Sequence, residues 1–238
     1  MNRSVRMNRS VRVLSVASTA VLVLFLTVTS AQEQSVAPGI NKPYQQTDVA
    51  ASIGRFEKEG RDVYDHRQEV VAACALKPGM AVADIGAGTG LFTRLFSPLV
   101  GDQGRVYSVD ITEKFVKHIE QTAAKQGLRN IVGVVCDERS VKLPPESIDL
   151  AFTSDVYHHL EFPQNTLESI QRALRPGGQL IVIDYERSEG KSPEWTLKHV
   201  RAGKEVVVNE VTAAGFKFLD EKPVGLRETY FIRFEKAR

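Results

Sequence analysis

The sequence predicts an α/β domain built on a doubly wound, mostly parallel seven-stranded sheet with a C-terminal antiparallel hairpin. Three observations carry this reading. Short apolar runs alternate five times with stretches of helical spacing, as in parallel strands joined by crossover helices and covered on both faces. Glycines 86, 88 and 90 follow the first run, where a strand must turn sharply into a helix. The last two strand-like segments have no helix between them, so they pair antiparallel at one edge.

The elements follow in order. From Arg61 the spacing of Val63, Val70, Val71 and Cys74 is helical, and Lys77-Pro78-Gly79 stops it. Residues 81–85 are a strand, 91–100 a helix, and 105–109 a second strand. Residues 112–126 form a helix with Thr112 as a candidate cap and Gly127 as its stop. Residues 131–135 and 150–154 are strands, with Pro144-Pro145 turning the chain between them. A helix over 165–174 ends at Pro176-Gly177-Gly178, and 180–183 is the fifth apolar strand. Residues 195–214 contain a further helix, and segments 216–219 and 228–234 supply the hairpin.

The chain has 238 residues, 42% hydrophobic and 25% charged, an ordinary globular balance that excludes a disordered chain or a multi-span membrane protein. Four arginines lie in the first twelve residues, with no acid before Glu33. Without residues 1–31 the body carries 27 basic and 29 acidic side chains. A body so nearly neutral carries no electrostatic footprint of nucleic-acid binding. Residues 1–12 repeat MNRSVR, an apolar run spans 13–28, and the small residues Thr29-Ser30-Ala31 follow. This is the layout of a secretory signal peptide cut after Ala31, with an N-terminal anchor as the second option. Localisation is therefore expected to be periplasmic or secreted, with no membrane domain beyond that anchor. Residues 32–52, with Pro38, Gly39 and Pro43, read as a linker or an arm laid over the domain, and 53–238 as the functional domain.

Parallel sheets bind ligands beyond the carboxyl ends of their strands, which here carry Asp84 with its glycine turn, Asp110, Asp137, Ser154-Asp155 and Asp184. A phosphate-binding P-loop fails because no Lys follows the glycines. A dinucleotide fingerprint fits poorly because Leu91 stands where it wants Gly or Ala, which disfavours a nicotinamide oxidoreductase.

Asp84-Ile85-Gly86-Ala87-Gly88-Thr89-Gly90 resembles motif I of class I S-adenosylmethionine-dependent methyltransferases. The likeness continues through Val106–Asp110, Cys136-Asp137, Leu143–Leu150 and Leu174–Leu180. Its nearest flavour is the type 11, ubiquinone/menaquinone C-methyltransferase-like group. The resemblance implies a Rossmann-like methyltransferase fold and S-adenosylmethionine as cofactor, held by Asp84, Gly86, Ala87, Gly88, Gly90, Asp110, Ile111, Asp137 and Ser154. Asp110 would bridge the ribose hydroxyls and Asp137 would lie near the adenine amino group. A carboxylate at Asp84 would repel a pyrophosphate but suits an ammonium and a sulfonium.

Methyl transfer displaces a leaving group from an already activated carbon, so alignment of donor and acceptor does most of the work. A base is needed only when the acceptor must lose a proton. Candidates follow the fourth strand: His158 or His159 as base, Asp155 or Tyr157 to orient the acceptor. Asp155 stands where amino-group methylases carry an Asn/Asp-Pro-Pro motif, but both prolines are missing. Metal sites are not expected. Cys74 and Cys136 are not spaced as zinc ligands, and Asp155 with Asp184 lacks the Asn of catechol-type O-methyltransferases, Tyr185 standing there. Segments 55–67 and 186–201 are expected to cap a small-molecule acceptor. The competing function is an exported, non-catalytic ligand-binding module. Acceptor identity and oligomeric state leave no mark on the sequence.

Overall fold

A computed structural model of the protein describes Met1 and residues 33–237, so the expected leader falls outside the described region. The seven strands are β1 (Ala81–Ile85), β2 (Arg105–Asp110), β3 (Ile131–Val135), β4 (Ile148–Ser154), β5 (Leu174–Tyr185), β6 (Phe216–Glu221) and β7 (Thr229–Lys236). They form one sheet in the order β3-β2-β1-β4-β5-β7-β6. The first five are parallel, β5 pairs antiparallel with β7, and β7 with β6. The predicted seven-stranded sheet with its edge hairpin is thus the observed one.

The helices are α1 (Lys42–Gln45), α2 (Val49–Phe56), α3 (Asp62–Asp65), α4 (Arg67–Ala73), α5 (Leu91–Val100), α6 (Glu113–Gln126), α7 (Pro163–Ala173), α8 (Glu194–His199) and α9 (Lys204–Ala213). Alternation along each strand divides its apolar side chains between two cores. Ala81, Ala83 and Ile85 of β1 pack with Leu167 and Ile170 of α7 and with Val207 and Val211 of α9. Val82 joins Phe92 and Phe96 of α5 and Phe152 of β4 on the other face. The strand order reverses between β1 and β4, which opens a crevice at their carboxyl ends.

Several local expectations change. The helix from Arg61 breaks at His66 into α3 and α4, and the first residue of α3 is Asp62. Its carboxylate accepts the N–H groups of Arg227, Glu228 and Thr229 at 2.9–3.3 Å, pinning α3 to the start of β7. The helix expected over 165–174 ends at Ala173, before Pro176-Gly177-Gly178, which lies inside β5, where Leu174 already pairs with Ile148 and the register shifts before Leu150. Thr112 makes no side-chain cap; Asp110 Oδ1 accepts its N–H instead, at 2.8 Å. Residues 195–214 hold parts of two helices, α8 and α9, with Gly203 at the N-terminus of the second.

Residues 33–52 have more structure than an irregular arm. Asp48 caps α2 by accepting the N–H groups of Ala50 and Ala51, and that helix runs across the boundary placed at 52/53. The Glu33 carboxylate accepts the Gln164 and Asn165 N–H groups, both at 2.9 Å, in the first turn of α7.

Candidate functional site

The crevice holds a cavity of about 360 Å³, within the size range of small-molecule sites. Its floor is the turn after β1. Gly86, Gly88 and Gly90 have φ of +70°, +53° and +80°, a region that carries a penalty for residues with a Cβ. Their tasks differ. A Cβ on Gly86 would lie 2.4 Å from Val156, and one on Gly90 2.6 Å from Ile119, so these two allow close packing. At Gly88 the nearest neighbour would be the Phe56 ring at 3.7 Å, which leaves its backbone open toward the cavity. Gly90, expected to hold the cofactor, is not part of the cavity wall; it seats α5 against α6.

Asp110, at the end of β2, reaches the same wall. Its Oδ2 accepts the Gly88 N–H and its Oδ1 the Thr112 N–H, each at 2.8 Å. The carboxylate therefore fixes the glycine turn to the N-terminus of α6, and each oxygen keeps a further lone pair. Burial raises its pKa above the usual carboxylate value, against the lowering pull of the Thr112 and Gly88 N–H groups. Asp84 is 3% exposed, accepts the Thr93 hydroxyl at 2.6 Å, and is pushed up to about 6 by burial. Ala87, Ile111, Asp137 and Ser154 also line the cavity. Asp137 closes a small turn by accepting the Arg139 N–H, a bond that lowers its pKa.

The opposite wall is polar and aromatic. Asp155 sits at φ +54°, a strained conformation for a residue with a side chain, and its N–H donates to the Ile183 carbonyl at 2.9 Å. Arg61 donates to Asp155 Oδ2 and to the Phe56 carbonyl, tying the segment before β1 to the end of β4. Burial raises the Asp155 carboxyl, opposed first by Arg61. His158 is 3% exposed; its Nδ1–H donates to Asp184 Oδ1 at 2.7 Å and its backbone N–H to Asp184 Oδ2 at 2.9 Å. Burial, with His158 and His199 nearby, depresses His159 to about 3, so it is a neutral imidazole at neutral pH. Tyr185, Trp195 and His199 complete this wall.

Tyr157 is a correction. It is 1% exposed within the core, and its hydroxyl donates to Glu210 Oε2 at 2.8 Å. Arg201 forks onto the same carboxylate. The side chain belongs to that structural network and does not border the cavity, so it orients no acceptor. The three-residue 3-10 turn Tyr157–His159 sends Tyr157 into the core and His158 toward the cavity.

Some lining residues gave no sequence signal. Asn41 and Tyr44 come from the segment without periodicity and line the cavity beside Arg55, Phe56 and Arg61. Cys136, which precedes Asp137 in the resemblance, also borders it. The hydroxyl of Ser154, Asp155 Oδ1 and His159 Nδ1 are buried without hydrogen-bond partners among the described residues. Unpaired buried polar atoms are costly, and at a cavity wall they are groups a ligand can satisfy.

A family model described as a methyltransferase domain matches residues 76–221. The chain belongs to this methyltransferase family. It resembles the ubiquinone/menaquinone biosynthesis C-methyltransferase UbiE of Shewanella frigidimarina, 31% identical over 120 residues, which is 50% of this chain and 48% of the relative. UbiE of Hydrogenovibrio crunogenus is 29% identical over 122 residues, 51% of this chain and 48% of that one. The chain thus spans about half the length of these curated relatives. Among solved structures, a SAM-dependent methyltransferase from Aquifex aeolicus superposes with a TM-score of 0.69 at 26% identity, over 81% of this chain and 100% of the other. The [4+2]-cyclase SpnF shares the fold with a TM-score of 0.65 at 17% identity, over 83% and 93% of the two chains. The fold of this methyltransferase domain therefore does not by itself fix a reaction.

Proposed function

We propose that the protein transfers the methyl group of S-adenosylmethionine to a small-molecule acceptor. One observation carries the reading: a single cavity has the open Gly88 backbone and the Asp110 carboxylate on one wall and the Asp155–His158–His159 face on the other. Those residues fit the cofactor. The Asp110 lone pairs left by Gly88 and Thr112 suit the two ribose hydroxyls, Asp137 on the cavity wall would meet the adenine amino group, and the buried Asp84 suits a cationic neighbour. No residue after the glycine turn offers the Lys a phosphate would need.

S-adenosylmethionine supplies, when bound, a methyl carbon already activated by its sulfonium. The chain's contribution is alignment, worth up to roughly 7–11 kcal/mol where two reactants are held in line. Asp155, fixed by Arg61, and the aromatic pair Tyr185 and Trp195 (ring centroids 4.8 Å apart) position the acceptor. Asp184 holds the His158 tautomer so that Nε2 keeps its lone pair, the group required when an acceptor must lose a proton.

The test is incubation of the full chain with methyl-labelled donor and fractionated small-molecule extracts. Label appearing in a small-molecule product supports the reading. Saturable donor binding with no label transferred to any fraction would replace it with a ligand-binding role.

A further inference from the structure

Three of the protein's five histidines converge at the cavity: His158 and His159 after β4, and His199 at the end of α8. A proton acceptor requires one imidazole, so the gathering of three calls for another explanation. One ring nitrogen from each lies within 4.8 Å of the other two. The ring centroids are 4.3, 5.1 and 5.1 Å apart, with interplanar angles of 43°, 72° and 66°. Three imidazoles bound to one ion at about 2.0–2.1 Å in tetrahedral directions place their centroids about 5 Å apart.

Two further features match ligation. The Asp184 carboxylate behind His158 Nδ1–H is the outer partner that metal-bound histidines regularly have, fixing the ring and raising its basicity. His159 Nδ1 is buried with no hydrogen-bond partner among the described residues, an expensive arrangement unless something binds it.

We propose that His158, His159 and His199 bind one divalent transition-metal ion of the zinc class, its fourth position open to the cavity. Neutral imidazoles suit such ions, and three protein ligands with one open position mark a site that binds substrate rather than a closed structural one. The role of the site rests on the methyl-transfer reading and specifies its acceptor as a hydroxyl or thiol. With the His158 Nε2 lone pair on the ion rather than free as a base, the acceptor that takes the open position releases its proton to solvent. Its lone pair then forms the bond to the methyl carbon while the carbon–sulfur bond breaks, and that electron pair returns to sulfur as the neutral thioether.

The experiment is equilibrium dialysis of the full chain, free of any histidine tag, against Zn²⁺, with Co²⁺ as a visible-spectrum probe. One ion per chain is expected at micromolar free metal. Removing an outer-sphere partner alone typically costs 10–100-fold in affinity, so His199→Ala and His159→Ala should each weaken binding by at least about 100-fold. His199 is exposed on α8, and its variant should keep the wild-type unfolding midpoint. His118→Ala, on α6 and away from the cavity, should bind as the wild type does. No stoichiometric uptake by the wild type, or equal affinity in His199→Ala, overturns the site. Uptake is read without donor or acceptor, so that failure leaves methyl transfer standing. Stoichiometric uptake lost in His199→Ala upholds the site even in a chain that fails to bind donor, a result that would overturn methyl transfer alone.

Discussion

Replacing Asp110 by alanine tests the proposed donor wall most directly. In the folded chain its two oxygens accept the Gly88 and Thr112 N–H groups at 2.8 Å each. Removing the carboxylate leaves both donors without that acceptor at a site where Asp110 is only 6% exposed. Each unpaired group costs about 1–3 kcal/mol unless water reaches it, so the unfolding midpoint should fall. Donor affinity should fall separately. A charge-assisted hydrogen bond is worth about 1.5–3 kcal/mol, and two ribose hydroxyls are at stake. Loss of one bond at the lower value weakens Kd about tenfold, and loss of both at the upper value by more than about 10⁴-fold. Calorimetric titration of S-adenosylmethionine into wild type and variant, well below both unfolding midpoints, reads this difference. An unchanged Kd in a folded Asp110→Ala protein would refute both the ribose assignment and the argument that places the donor on this wall.

The glycines separate ligand space from packing space. Gly88→Val should abolish donor binding in calorimetry, because its side chain projects toward the cavity and the φ of +53° disfavours a β-branched residue. Gly86→Ala should lower the unfolding midpoint more than Gly88→Ala does, since its Cβ meets Val156 at 2.4 Å rather than Phe56 at 3.7 Å. Asp84 is raised from 3.8 to about 6 by burial. Its ionised form therefore opposes folding, and the stability present below pH ~4 is lost as pH rises through ~6, by about 3 kcal/mol. In urea titrations Asp84→Asn should match wild type near pH 4 and exceed it above pH ~6; a gap that does not grow with pH would refute this. Tyr157→Phe should cost about 1–2 kcal/mol through loss of the Glu210 bond, with donor affinity and turnover at wild-type values. A selective loss of turnover would return Tyr157 to the site.

The layers and the glycine-turn wall of the cavity were legible in the residues alone. Apolar runs such as Ala81–Ile85 and Ile131–Val135 became strands at those residues, and Leu91–Val100 a helix, because strand and helix periodicities are local properties of the chain. Asp110 met the glycine turn because β2 lies beside β1 in any sheet of this winding. The opposite wall of the cavity was legible only in part. His158 and Tyr157 are neighbours in sequence, yet a single tight turn sends one to the cavity and the other to Glu210. His199 reaches His158 and His159 only through the chain's path beyond β5, and Asn41 and Tyr44 only because the N-terminal segment folds back over the cavity. Such meetings depend on side-chain direction and long-range topology, whose pairing no local pattern of residues encodes.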